Sequence, residues 1–510
     1  MHYTGTFGKV QLRNMKFLGI SYRNHDANIA FSDGVKIKYL KLEREFQNKH
    51  QGCIDYYYIQ YVLNKWNIDP KDIDAVAYVT DMSNYKLPYY TKDLVSEIKP
   101  KDIYLENFNC PFYLIDHHYA HTLSIWPIVD RTDVDFVLDG MGDFENTYSI
   151  FSKNKKLKTY EVDEAESVGR CLTGLIADMN NLQGHWADMA GKLMGLKSFG
   201  KINQEYYNLF SNDITEVSKL MSYRKYLITN SIEEKNPLNY LTSVHTKLEQ
   251  IVLQFFKTNA NPNVCIGYTG GVAQNSVING LLKNIFPNLI IPPHCPDDGL
   301  SLGLIEFLRQ HYNQEPFEKT NFPFWQDDYT PIREPSDETI KKTAEWLAQG
   351  KIVGWYQGHG ELGPRALGNR SILMNPSIPN GKHLINSKVK QREWFRPFGA
   401  SILEEHTNKY FKCDYKSEYM LYVTDIIDKH KFSSITHVDG TCRIQTVSEK
   451  LDTYKRLINC FYKLTGIPML LNTSMNVNGR PIASRYIDAL ELFSNSNLDI
   501  LVIGNEIYKR

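Results

Sequence analysis

Short apolar runs alternate along the chain with longer stretches of helical spacing, and the first pair of runs sets the pattern. Phe17 to Ile20 reads as a buried strand that turns through Tyr22, Arg23, Asn24, His25 and Asp26 and returns as Ala27 to Phe31, before a turn at Asp33-Gly34. Lys36 to Phe46 predicts a further strand, with LEREF as a polar end facing a cleft. Tyr56 to Asn64 predicts a helix and Ala75 to Val79 a strand. VDFVLDGMGD carries a strand over 134–138 that ends at Asp139 in a turn with Gly140 and Gly142. Glu166 to Gly200 predicts a helix followed by a loop, with the glycines of GKLMGLKSFGK around Lys192 and Lys197. Residues 203–258 predict more helix, with Lys, Glu and Tyr alternating on a solvated face. Strand Val264 to Tyr268 and helix Asn275 to Leu282 follow, then helix Asp337 to Gln349 and strand Ile352 to Tyr356. Strands alternating with helices on this scale predict an α/β fold. Pro316, Pro323, Pro331 and Pro335 interrupt the periodicity over 313–336 and place a domain boundary there, giving a large domain over 15–325 and a smaller one over 326–510.

Composition narrows the class. A chain of 510 residues exceeds what one core usually serves, so two domains are expected, and 42% apolar with 23% charged residues is ordinary for a globular protein. The formal net charge is zero and the pI about 7.2, which removes any global footprint for nucleic acid or an anionic membrane and leaves room only for a local basic groove. Eight cysteines without a CxxC pair argue against a zinc ribbon or disulfide framework and predict reduced thiols. With neither a long apolar segment nor a signal-peptide pattern, a soluble cytoplasmic protein is expected. MKFLGISY from Met15 reads as a natural beginning, so residues 1–14 read as an N-terminal extension. Richness in Lys, Asn, Ile and Tyr suggests an AT-rich genome, such as that of a phage or a low-GC bacterium.

The candidate chemistry starts at DHHYAH. His117 and His121 stand at i and i+4, on one helix face and within reach of one ion, while His118 points elsewhere. Asp139, leaving a strand end, supplies a carboxylate for a mixed nitrogen and oxygen site. In CPDDGLSLG, Asp297 and Asp298 open another helix and read either as N-caps or as a source of a fourth ligand. TGGVAQN pairs Gly270 and Gly271 at a strand end before a helix, a place where backbone amides approach a phosphate. Four later loops concentrate cations and amides: GELGPRALGNRS with Arg365 and Arg370, NSKVKQREWFRPF with Lys388, Lys390, Arg392 and Arg396, HVDGTCRIQ with His437 and Arg443, and LLNTSMNVNG with Asn472, Ser474, Asn476 and Asn478. Each alone reads as a surface turn; together they predict a pocket for phosphate or carboxylate. NYKLPYYTK, residues 84–92, interleaves Tyr85, Tyr89 and Tyr90 with Lys86 and Lys92, as binders of single strands or flipped bases do, and otherwise reads as a surface loop.

DHHYAH, LDGMGD, GKLMGL, TGGVAQN, CPDDGLSLG, GELGPRALGNRSIL, VKQREWFRPF, HVDGTCRIQT and LLNTSMNVNGRPI, in this order, closely resemble the O-carbamoyltransferase family of nodulation-factor and antibiotic biosynthesis, over roughly Met15 to Ile503. The resemblance implies a large actin-like (ASKHA) ATPase-type domain, similar to the universal tRNA threonylcarbamoyl-transfer protein, fused to a smaller YrdC-like α/β domain. It implies that the small domain joins carbamoyl phosphate and ATP, with Mg2+, into a carbamoyl-adenylate, whose carbamoyl group the large domain moves to an acceptor hydroxyl. Carried over residue by residue, His117, His121, Asp139 and Asp297 would hold a divalent ion, iron in the family with Mn2+ or Mg2+ as alternatives; the Asp-x-Gly spacing favours Asp297 over Asp298. Arg365, Arg370, Lys390, Arg392, Arg396, His437, Arg443, Asn472, Ser474 and Asn476 would bind carbamoyl phosphate and ATP. Gly140, Lys192, Gly270, Gly271 and Asn275 would hold the adenylate in the large domain, and His25 would be the general base, acting with Arg365, Lys390 and Arg443. The chain is short for the family in the acceptor-proximal middle. The acceptor is expected to be a small-molecule alcohol or a hydroxymethylated base such as 5-hydroxymethylcytosine in DNA, and the protein a monomer or homodimer. Threonylcarbamoyl-type tRNA modification and a non-catalytic actin-like ATP-binding scaffold are the competing readings.

Overall fold

The computed structural model describes residues 14–53, 55–80, 92–100, 105, 107–173, 182, 184–220, 222, 236–327 and 334–510. Its first sheet grows from β1 (Phe17–Tyr22), which pairs antiparallel with β2 (Asn28–Ser32), itself antiparallel to β3 (Ile37–Lys41). On its other side β1 runs parallel to β4 (Ala75–Thr80), followed by β6 (Phe112–Ile115) with β5 (Val95–Ile98) at the edge, in the order β3-β2-β1-β4-β6-β5. The second sheet repeats this wiring. β7 (Val134–Leu138), β8 (Asn146–Ser152) and β9 (Lys155–Glu161) form the antiparallel meander, and β10 (Ile266–Thr269) and β11 (Leu289–Ile290) add in parallel beside β7, giving β11-β10-β7-β8-β9. Two sheets wound alike, each a three-strand meander extended by parallel strands, are the actin-like halves that the sequence predicts. Their inner strands are largely apolar runs because helices cover both faces. Phe17 shares a core with Leu304 and Ile305 of the helix Leu300–His311, and Phe136 stacks on Phe256 at 4.0 Å.

The third sheet is mixed and takes all its strands from residues 353–509. β12 (Val353–Tyr356), β13 (Arg370–Met374), β14 (Gly399–Leu403), β15 (Tyr422–Asp425), β16 (Thr441–Val447), β17 (Met469–Ser474), β18 (Ile500–Ile503) and β19 (Glu506–Lys509) run in the order β15-β16-β14-β17-β13-β12-β18-β19. Helices Asp337–Ala348 and Asp452–Thr465 pack on it around Trp355, Ile372 and Phe461.

Several expectations are corrected. LEREF is a helical turn, Leu42–Phe46, and does not continue β3. Its charged side chains turn inward: Arg44 donates to the Glu361 and Gly363 carbonyls, and Glu45 accepts from the Tyr61 hydroxyl at 2.6 Å. Glu166 to Gly200 holds two separate described helices, Val168–Cys171 and Trp186–Leu196. The stretch expected to show a solvated face contains the helix Pro237–Asn259, whose Leu241, Val244, Leu248, Ile251, Val252 and Phe255 are buried. Two of its polar residues pair inside, where His245 meets Glu249, which also takes Lys197 from an earlier turn. Within the proline-rich stretch Asp327 donates its N–H to the Tyr39 carbonyl at 2.9 Å and Gln326 bridges to Gly360, while residues 328–333 lie outside the described residues. Residues 1–13 of the predicted extension and residues 84–91 of the aromatic and lysine stretch lie outside the described residues; Lys92 pairs with Glu161 at 3.0 Å. Among the described residues no helix is long and apolar enough to cross a membrane.

Candidate active site

The duplicated wiring brings the turn after β1, the turn after β7 and the helix His117–Leu123 together. Asp116 caps that helix by accepting the Tyr119 N–H at 2.9 Å, which fixes the first turn and sets His117 and His121 on one face. Asp297 arrives from the 3₁₀ turn before Leu300, and neither it nor Asp298 caps the helix. The four expected ligands meet: His117 Nε2 lies 3.1 Å from Asp139 and 3.5 Å from Asp297, and His121 Nε2 lies 3.2 Å from Asp297. All four are buried, with one donor atom from each inside 4.8 Å of the others. Donors bound at about 2.1 Å to one tetrahedral ion stand about 3.4 Å apart, so these spacings and this two-imidazole, two-carboxylate set fit a divalent cation. His118 instead faces the Ser149 hydroxyl at 2.7 Å.

The surroundings tune these groups. Burial would raise both carboxylates, but the Arg23 guanidinium holds Asp297, and the His117 hydrogen bond holds Asp139, well below the usual range. Asp139 also accepts the Gly271 N–H at 2.7 Å. Gly270 makes that approach possible, because its φ is +92° and a Cβ there would stand 2.3 Å from the Leu138 carbonyl oxygen. Burial and the nearby Arg23 push His117 down, toward the neutral form a metal requires. Asp298 turns away to Lys41, which settles the choice of carboxylate facing the histidines as Asp297.

A cavity of about 340 Å³ lies between chain neighbours of this cluster and the basic loops. It touches Gly271, Pro296 and Asp298 at one end and Arg365, Lys390, Arg392, Arg396 and Arg443 at the other. The Nε atoms of Arg365 and Arg443 are shut off from solvent without a partner. Burial, together with neighbouring cations, lowers Arg365 to about 10 and pushes Lys390, Arg392 and Arg443 well down. Among the described residues, Glu393 near Arg396 is the one acid in an ion pair with these arginines, at 3.7 Å, and it also takes Lys192 at 2.7 Å. Clustered desolvated cations with so little compensation favour an anionic guest. Lys390 is aimed by the Ser474 carbonyl at 2.7 Å and by Asn476, and His437 joins the lining beside Asp439.

Other predicted residues have different work. Arg370 is wholly buried, donates to the Gln357, Gly358 and Asn369 carbonyls and stacks on Tyr356 at 3.6 Å, so it holds its own loop rather than a ligand. Asn472 donates to the Ala366 carbonyl at 3.1 Å, behind the lining. Lys388 faces solvent. Lys192 reaches across to Glu393 instead of a nucleotide loop. Asn275 lines the cavity while its side chain caps the helix Ser276–Lys283. Gly140 sits beside Asp139 with nothing within 4 Å of a Cβ position.

Residues 82–304 match the family described as carbamoyltransferase N-terminus, and residues 344–510 the one described as carbamoyltransferase C-terminus. Nodulation protein NolNO of Sinorhizobium fredii is 30% identical over 95% of this chain and 79% of its own length. The chain belongs to the carbamoyltransferase family. The 3'-hydroxymethylcephem-O-carbamoyltransferase of Amycolatopsis lactamdurans is 27% identical over 63% of this chain and 65% of its own. Among solved structures, component A of (R)-2-hydroxyglutaryl-CoA dehydratase from Acidaminococcus fermentans aligns over 57% of this chain and 97% of its own at 14% identity, with a TM-score of 0.36.

This carbamoyltransferase holds a second polar cluster that its sequence did not announce. Lys41 is caged by Asp298 at 2.5 Å, Glu43 at 2.9 Å and Asp26 at 3.5 Å. Asp26 meets His50 at 3.0 Å and His25 at 3.3 Å, while His25 Nδ1 lies 3.7 Å from Asp297. The carboxylates outweigh burial and raise both imidazoles, His50 to about 9. The charged end of LEREF was the available signal, through Glu43; nothing in the sequence joins Lys41 to Asp298.

Proposed function

We propose that this carbamoyltransferase makes a carbamoyl-adenylate from carbamoyl phosphate and ATP on the arginine-rich loops and transfers the carbamoyl group to an acceptor hydroxyl beside His25. One observation carries the reading: a single cavity has buried, under-compensated cations at one end and flanks the imidazole and carboxylate cluster at the other. Carbamoyl phosphate is a small dianion, and Arg365, Arg396 and Arg443 would grip its oxygens with charge-assisted hydrogen bonds in a site poor in water. Water cleaves the bond from phosphorus to the carbamoyl oxygen, releasing inorganic phosphate and carbamate, whose oxygen attacks the α-phosphorus of ATP as pyrophosphate departs. The acceptor oxygen then attacks the carbamoyl carbon, the bond to AMP breaks, and the hydroxyl proton passes to His25, which Asp26 orients at 3.3 Å. His117, His121, Asp139 and Asp297 would hold a divalent ion, iron by family resemblance, whose bound charge favours phosphate as a leaving group. The name of the hydroxymethylcephem relative points to a natural-product alcohol as acceptor.

Two variants test the division. Arg443→Ala should lower carbamoyl-phosphate-dependent pyrophosphate release by more than about tenfold, because a charge-assisted hydrogen bond to a desolvated anion contributes roughly 1.5–3 kcal/mol. His25→Ala should spare that release and lose transfer to the acceptor. Equal damage to both half-reactions by both variants would contradict the assignment.

A further inference from the structure

The cavity changes sign along its length, and an anion made at one end has to cross to the other. On the side of the first 327 residues its lining carries the carboxylates of Asp26, Glu43, Asp188 and Asp298, which repel a phosphate leaving the arginines. Two lysines from that side also line it. Lys41 is caged by three carboxylates, whereas Lys49 meets Asp188 at 2.5 Å, in a pair whose members are 29% and 24% exposed.

The loop that carries Lys49 touches both halves of the reaction site. On one side Gln47 donates to the Ile482 carbonyl at 3.5 Å and accepts from Arg480 at 3.4 Å. On the other, His50 gives its backbone N–H to Glu43 at 2.9 Å and its ring meets Asp26 at 3.0 Å. Lys49 therefore stands at the seam, near enough to Lys390 for its charge to help push that ammonium down.

We propose that Lys49 is the hand-over residue of the carbamoyltransferase: its ammonium exchanges Asp188 for the phosphate of the adenylate as that anion passes from the arginines to the imidazole and carboxylate cluster. No covalent bond changes in the exchange. It rests on the reading above that the adenylate is formed on the arginine-rich loops. A partly exposed ion pair is weak enough to be traded, and a phosphate offers the same ammonium a stronger hydrogen bond.

The test follows the label without an acceptor. Wild-type protein, Lys49→Met and Lys49→Arg are mixed with carbamoyl phosphate, magnesium and ATP labelled at the α-phosphate, pyrophosphate is counted, and each mixture is passed rapidly through a gel-filtration column. Lys49→Met should release pyrophosphate within about threefold of wild type, yet the label travelling with the protein per pyrophosphate should fall at least about tenfold, the remainder emerging as AMP. Lys49→Arg should retain the label. Undiminished retention in Lys49→Met overturns the proposal, and so does loss of pyrophosphate release at an unchanged melting temperature, which would place Lys49 in the forming step. Should Lys49→Met melt early, Lys49→Gln takes its place with the same outcomes. Absence of carbamoyl-phosphate-dependent pyrophosphate from the wild type would fail the adenylate reading itself, and the hand-over with it.

Discussion

His121 shows how much one side chain can carry. Its ring meets Asp297 at 3.2 Å and the His117 ring at 4.8 Å between centroids, in a buried pocket with no bulk water to replace a lost ligand. His121→Ala is therefore expected to lose the bound divalent ion and carbamoyl transfer together with an unchanged far-ultraviolet circular dichroism spectrum. Elemental analysis of the purified variant checks it, and full metal content would remove His121 from the site. The histidine pair was legible because i and i+4 spacing is a local property. Arg23, Lys41 and His50 were not, because what makes each of them matter is a carboxylate brought from elsewhere: Asp297, Asp298 and Asp188. Arg370 misled for the opposite reason: a motif arginine reads as a ligand, and only the packed structure shows its guanidinium spent on three carbonyls.

At the scale of elements, β7 contains an acid where its neighbours are apolar. Asp135 is buried, accepts from the Thr132 hydroxyl at 2.5 Å, and burial raises it from 3.8 to about 7. Between those two values the unfolded chain gives up its proton while the folded chain keeps it, so this carboxyl makes stability fall as pH rises from about 4 to 7. Asp135→Asn keeps an acceptor for Thr132 and removes the charge. Its melting temperature should exceed that of wild type by at least about 3 °C at pH 8 and differ far less at pH 4. An equal shift at both values would show that burial of the charge is not the cause. The strand itself was readable as an apolar run, as were β1, β4 and β10. The LEREF turn was not, because a charged segment signals exposure in sequence and here its Arg44 and Glu45 are consumed by Gly363 and Tyr61. The helix Pro237–Asn259 was mistaken for a solvated face on the same grounds, since His245 and Glu249 pair inside it.

Across the whole molecule, the seating of one basic loop brings residues from the first 327 positions and from beyond 334 around one cavity. Glu361 accepts the N–H groups of Leu367, Asn369 and Arg370 at 2.8, 2.9 and 3.0 Å, shaping GELGPRALGNR. Gly363, with φ of +75° and a would-be Cβ 2.0 Å from the Pro293 carbonyl oxygen, lets that loop press against the segment leading to Asp297. A chain of zero net charge thereby concentrates cations at one end of a cavity and carboxylates at the other. The order of motifs made the family legible, but not this meeting of the two ends, which depends on contacts between residues 91 to 319 positions apart. The most direct test of the account supplies carbon-labelled carbamoyl phosphate, with and without ATP, to the protein beside a panel of amino-sugars, polyketide alcohols and hydroxymethylcytosine DNA. The account predicts label on a hydroxyl-bearing small molecule, only when ATP is present, with AMP and pyrophosphate formed in step. Label transferred without ATP would contradict the adenylate route, and label on the DNA alone would contradict the choice of acceptor.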